Sequence, residues 1–165
     1  MEYTHVSHES IPPYINDDSE VLILGSLPSV KSREYGFFYA HPQNRFFKVL
    51  AKIFNEEEPK GIEERKAFLK RHKIALYDVI YGCDICGSSD SSIKNVVPIN
   101  IKEILKQYPN IKKIFTTGKK SKELFDKYLS SEVNIPVIGL PSTSPANATM
   151  SLDSLAEYYR LIINQ

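Results

Sequence analysis

A chain of 165 residues can bury a real core without disulfides or metals, and it suits one compact domain over residues 1–165. At 42% hydrophobic and 25% charged residues it lies among ordinary globular proteins and away from disordered chains. A formal net charge of +1 gives no overall basic field of the kind that drives nucleic-acid binding, so any grip on phosphates has to come from a local patch.

Residues 1–18 are polar, carry two prolines and show no signal-peptide apolar stretch, and they are expected to form an irregular N-terminal segment. No apolar run approaches the roughly 20 residues that span a bilayer. These features predict no membrane partner and a cytoplasmic protein, nucleoid-associated if prokaryotic, kept in the reducing interior; a monomer is expected. The two cysteines form a lone Cys83-Asp84-Ile85-Cys86. A zinc or iron–sulfur site wants about four ligands. With no second cysteine pair or nearby histidine pair, no metal and no cofactor are expected, and the thiols read as incidental.

In chain order, residues 20–26 are the first apolar run. Residues 44–54 then place Phe47, Leu50 and Phe54 on one helical stripe. Residues 62–72 form a helix ending in the basic cluster Lys70-Arg71-His72-Lys73, which suits a helix C-terminus. A second strand is expected at 74–80, followed by a flexible connector, Gly87 to Ser92. Next come a helix at 100–108 with Asn100 and Glu103 at capping-box spacing, and a third strand at 111–117. A helix at 119–129, a fourth strand at 135–140 and a helix at 151–163 complete the set. Each strand is a continuous run rich in Val, Ile or Leu, as expected of strands buried on both faces. The alternation predicts an α/β protein, a three-layer α/β/α sandwich with a short, mostly four-stranded parallel sheet.

Ligands of such sheets bind beyond the carboxyl ends of the strands. The expected exits carry Gly25-Ser26-Leu27-Pro28-Ser29, Asp78 with Tyr81-Gly82, Thr116-Thr117-Gly118-Lys119, and Leu140-Pro141-Ser142-Thr143-Ser144-Pro145. Three of the four have the Gly-, Ser-, Thr- or Pro-rich make-up of loops whose backbone approaches a ligand closely. Asn44 stands at the start of a helix, where Asn is a good N-cap and where it could equally orient a small ligand. Phe37, Phe38 and Tyr39 read as core residues on composition alone.

The stretch from Gly25 to Leu50, with its Gly-x-x-Pro turn, its aromatics and then His41-Pro42-Gln43-Asn44-Arg45-Phe46, resembles the first motif of mismatch-specific and hypoxanthine-DNA glycosylases. The segment Leu140-Pro141-Ser142-Thr143-Ser144-Pro145-Ala146-Asn147 resembles the second motif of the uracil-DNA glycosylase superfamily, in wording closest to the hypoxanthine branch. The resemblance covers nearly the whole chain. It implies a uracil-DNA glycosylase-like fold and a monofunctional DNA repair enzyme. Such an enzyme flips a deaminated base out of DNA and hydrolyses its N-glycosidic bond, with damaged DNA as partner.

On that resemblance Asn44 is the catalytic candidate. Its amide is a weak base, but the transition state is oxocarbenium-like and orientation of the water counts for more than its deprotonation. Tyr39 aligns with the stacking aromatic, leaving Phe37 and Phe38 to packing. Ser26 and Leu27 could offer backbone N–H groups to the base or water. Asp78 falls where related proteins read the base edge, and could accept from a ring N–H or merely cap a turn. Ser142, Thr143, Ser144 and Lys119 are the phosphate-binding candidates, with ordinary turn chemistry as the alternative for each.

The chain departs from the better-known branches in two places. Leu27 stands where they carry Asp or Asn, and Leu140 where they carry His or Asn. Both changes remove polar groups from the reaction, so hypoxanthine is expected to be favoured over uracil. Two other readings compete: a noncatalytic damaged-DNA or single-strand binding protein on the same fold, and a small-ligand α/β protein. The second is weakened by the absence of Gly-x-Gly-x-x-Gly and of a phosphate-loop lysine motif.

Overall fold

A computed structural model describes residues 2–87 and 90–163. Part of the expected connector, residues 88 and 89, thus lies outside the described residues. Four strands, β2 (Val21–Gly25), β3 (Ile74–Asp78), β6 (Lys113–Thr117) and β7 (Val137–Leu140), form a parallel sheet in the order β3-β2-β6-β7. Every residue of β2 and β3 is buried, which is why both read as unbroken apolar runs. The register aligns the strand ends: Gly25 pairs with Asp78, and Thr117 with Leu140. All four exits therefore leave along one edge of the sheet.

Helices flank this sheet to complete the α/β/α sandwich: α1 (Val30–Tyr35), α2 (Phe46–Phe54), α3 (Gly61–Arg71), α4 (Ile101–Gln107), α5 (Lys119–Tyr128) and α6 (Leu152–Tyr159). The helix α2 buries Phe46, Phe47, Val49, Leu50, Ala51 and Ile53 and packs on α6, which contributes Leu155 and Tyr159. Asn100 caps α4 as its spacing predicts, accepting from the Glu103 N–H at 3.2 Å. The short α1, inside the first motif, escapes the periodicity argument because six residues are too few to establish a period.

A second, three-stranded antiparallel sheet was not expected. It orders as β1 (Thr4–Ser7), β4 (Ile80–Ile85) and β5 (Lys94–Pro98), with β4 in the centre. The N-terminal segment is accordingly not irregular. Thr4 to Ser7 pair with Ile85 to Gly82, and Tyr14 then exchanges two backbone hydrogen bonds with Leu76 along the open side of β3. The expected strand at 74–80 also divides. It ends at Asp78, Val79 N–H and Ile80 N–H donate to the carbonyls of Gly25 and Ser26, and the chain turns into β4.

Candidate active site

The aligned exits enclose two connected spaces. An inner pocket of about 250 Å³ is walled by residues that include Gly25, Phe38, Tyr39, Asn44, Asp78 and Thr143. It opens into an outer groove of about 670 Å³, with Ser26, Leu27, Pro28, Ser29, Thr117, Ser142 and Ser144 belonging to both walls. A space on the scale of one heterocycle at the bottom of a longer groove suits a ligand that is mostly extended and sends one flat group inward.

Asn44 is where the two motifs meet. Its Oδ1 accepts from the Phe46 backbone N–H and from the Thr143 hydroxyl, each at 2.9 Å. The first bond is the helix-entry role foreseen for this residue, although Arg45 occupies the cap position itself. A backbone N–H can meet only the oxygen of the amide, and two donors fill that oxygen's lone pairs. The amide nitrogen is therefore the atom left for a ligand. Beside it, the Arg45 guanidinium donates to the carbonyls of Asn147 (2.9 Å) and Met150 (2.6 Å), and the Arg45 N–H donates to Thr143 O at 3.1 Å. Arg45 thus pins the second-motif loop onto the first motif.

Thr143 does not stand among phosphate-facing residues as expected. It is 1% exposed, and its hydroxyl is committed to Asn44. That bond fixes which way the Asn44 amide points. Ser142 and Ser144 stay partly exposed on both walls; Ser142 Oγ accepts from Ser144 N–H at 3.0 Å, and Ser144 Oγ from Ala146 N–H at 3.2 Å.

Tyr39 stacks one face on Phe46, with centroids 3.8 Å apart and planes 12° from parallel. Its hydroxyl and Thr117 Oγ1 are hydrogen-bonded at 2.9 Å. The backbone sits in the left-handed region at φ 54°, a conformation that costs a non-glycine residue about 1–2 kcal/mol and is held here by the ring stack and the Thr117 bond. Burial, then the nearby Asp78 charge, push the phenol well above its ordinary value against the opposing Thr117 bond, so it is a neutral hydroxyl at working pH. Phe38, assigned to packing, is indeed buried, yet it also forms part of the inner wall.

Asp78 is 5% exposed. Its Oδ1 lies where a methyl group on Gly25 would sit 2.5 Å away, so only glycine lets β2 pass this carboxylate. Its Oδ2 is 2.9 Å from Nε2 of His8, which follows β1 and is fully buried. His8 carried no signal in the sequence, because a histidine in a polar N-terminal stretch, three residues after His5, shows no pattern of burial.

The groove supplies the local positive patch that the net charge conceals. Lys119 and Lys120 at the start of α5, with Lys31 and Arg33 on α1, line it, and no carboxylate is among the described lining residues. Lys119 was foreseen; the other three were not, since α1 itself was not. Leu27 belongs to both walls and Leu140 is buried at 3% exposure, so neither of these positions brings a polar side chain to the pocket. Cys83 is buried and Cys86 partly buried, both as free thiols. Among the described residues no helix is long and apolar enough to cross a membrane.

A strand lying along a basic groove while one of its bases drops into a pocket at the strand ends is how an enzyme reaches a base that the duplex would otherwise hide. That division of labour is shared by enzymes that act on a flipped base, DNA N-glycosylases among them. The profile of the Uracil DNA glycosylase superfamily matches residues 12–163, and the chain belongs to that superfamily. It is 39% identical over 117 residues to a hypoxanthine DNA glycosylase of Methanosarcina barkeri, covering 70% of this chain and 73% of the relative. A hypoxanthine DNA glycosylase of Methanosarcina acetivorans is 28% identical over 148 residues, covering 89% and 92%. The fold is also similar to the solution NMR structure of a candidate uracil DNA glycosylase from M. acetivorans. There the TM-score is 0.78 at 26% identity, with 93% of this chain and 97% of that one covered.

Proposed function

We propose that this protein excises hypoxanthine from DNA in preference to uracil, hydrolysing the N-glycosidic bond with water and leaving an abasic site. The observation that carries the reading is the held amide of Asn44 in the wall of the inner pocket, combined with leucine at both positions where fast uracil-excising branches use polar side chains. Relatives named for hypoxanthine excision support the choice of base.

In this mechanism Asn44 Nδ2–H donates to a water and leaves that water a free lone pair for C1′. The amide positions the nucleophile without deprotonating it, which suffices for an oxocarbenium-like transition state. Tyr39 and Phe38 hold the ring of the flipped base. Backbone N–H groups at Ser26 and Leu27 stabilise charge gathering on the leaving base. Asp78 accepts from the base edge. Ser142, Ser144 and Lys119 take phosphates on either side. The reaction needs no cofactor and no lyase step, and the protein works as a monomer on chromosomal DNA in the cytoplasm.

The test is a panel of labelled duplexes, each with one hypoxanthine, uracil, xanthine or mismatched thymine, scored for alkali-labile abasic sites. Hypoxanthine should be released fastest. Tight binding of the hypoxanthine duplex with no release from any of the four would instead identify a noncatalytic damage-binding protein.

A further inference from the structure

His8 is the buried titratable group that this mechanism leaves unused. Its side chain has no exposure at all, and Asp78 beside it has 8%. His8 Nδ1 is 2.7 Å from the Ile11 carbonyl oxygen, an atom that can only accept, so Nδ1 carries a proton. The other ring nitrogen, Nε2, lies 2.9 Å from Asp78 Oδ2, and neither of these two buried atoms has any other partner among the described residues. If the ring were singly protonated, the Nε2 lone pair would press against a carboxylate oxygen, and a buried carboxylate without a compensating charge is strongly disfavoured. A proton between the two atoms removes both conflicts, either on Nε2, giving an ion pair, or on Asp78 Oδ2, giving a neutral acid hydrogen-bonded to the ring. The titratable groups facing this pair are Tyr77, whose ring is edge-on to His8 at 4.6 Å, Tyr81 at 6.4 Å, and Tyr39, which feels the Asp78 charge. Burial keeps Tyr77 and Tyr39 protonated.

We infer that His8, held as an imidazolium, keeps Asp78 an ionised acceptor and thereby makes the inner pocket selective for bases that present a ring N–H. Asp78 Oδ1, on the Gly25 side with the Tyr39 hydroxyl, is then acceptor-only. Hypoxanthine N1 and uracil N3 carry a hydrogen, whereas adenine N1 and cytosine N3 carry a lone pair that a carboxylate repels. Deamination is the change that creates this hydrogen. His8 is a positioning residue acting through Asp78, and the inference rests on the glycosylase reading above.

The experiment uses the full chain with ¹⁵N-labelled histidine and duplexes containing hypoxanthine, uracil, adenine or cytosine. In the wild type both His8 ring nitrogens should be protonated at neutral pH. In the Asp78→Asn variant His8 should revert to a ring protonated at Nδ1 alone. His8→Gln should lower the ratio of excision of N–H-bearing bases over adenine and cytosine by about tenfold or more, the scale of one hydrogen bond to a charged group. A wild-type His8 protonated at one nitrogen overturns the inference, and this reading needs no variant to fold. So does a folded His8→Gln with an unchanged ratio, an outcome that leaves the glycosylase reading standing. A wild type that releases none of the four bases removes that reading and the inference together.

Discussion

The Thr143 hydroxyl donates to the side-chain oxygen of Asn44 across 2.9 Å, joining residues 99 positions apart and closing the two sequence motifs on one amide. Because Phe46 N–H holds the same oxygen, Asn44 serves the helix and the pocket together. Replacing it with Ala should therefore have two separable effects. Single-turnover excision of hypoxanthine should fall by about two orders of magnitude or more, the range for a positioned catalytic group. Stability should fall by about 1 kcal/mol for the lost helix-entry bond, or roughly 2–4 °C in Tm. A folded Asn44→Ala protein with near-normal excision would sink the catalytic assignment.

Thr143→Val deletes the hydroxyl and leaves the amide of Asn44 with one anchor. Excision should drop about tenfold, the scale of one net hydrogen bond, while Thr143→Ser keeps most of the rate. DNA affinity and its salt dependence should not move, because the side chain is buried. Weakened binding with an intact rate would return Thr143 to the phosphate-contact role.

Gly25→Ala should damage the pocket from beneath. The new methyl would stand 2.5 Å from Asp78 Oδ1 and 3.7 Å from the Tyr39 hydroxyl. Since Asp78 is held on its other side by His8, the carboxylate cannot give way freely. An overpacking loss of about 1–3 kcal/mol is expected, together with loss of base discrimination. Wild-type Tm and selectivity in this variant would mean that Asp78 does not read the base.

Lys119 tests the groove. If it neutralises one phosphate, Lys119→Ala should reduce the slope of log affinity against log salt by about 0.9 on duplex DNA. Titrations between low and physiological salt measure this, and an unchanged slope would take Lys119 out of the interface. The excision rate at saturating enzyme should change little.

The buried phenols predict an alkaline limit to stability. Burial, followed by the charges of Tyr81 and Asp78, raises Tyr77 from 10.0 to about 12, and burial raises Tyr39 as well. The folded protein keeps protons that the unfolded chain releases above pH 10, so both groups contribute fully below that pH and stability falls as pH rises from there to about 12. Melting curves across this interval should show the fall, and Tyr77→Phe should make it shallower. An equal decline in the variant would place the sensitive group elsewhere.

Local sequence determined a good deal of this protein. The strands β2 and β3, buried along their whole length, left unbroken apolar runs, β6 and β7 left shorter ones, and the larger helices left stripes at helical spacing. The position of each run located the exits with Ser26, Leu27 and Asp78, the motif resemblance added Asn44 and Tyr39, and all five line one pocket. Residues that answer to partners far along the chain remained hidden. The strands β1 and β5 are short and mostly exposed, and they exist because β4 pairs with both, a contact no local period records. His8 acquires its meaning only when β1 carries it to Asp78, 70 positions away. Thr143 looked like its partly exposed serine neighbours, but it is buried where Arg45 N–H holds its carbonyl. The basic groove vanished into a net charge of +1, because a sum over the chain keeps no record of where charges stand. Periodicity reports which face of an element is buried; strand register and side-chain packing decide which residues meet there.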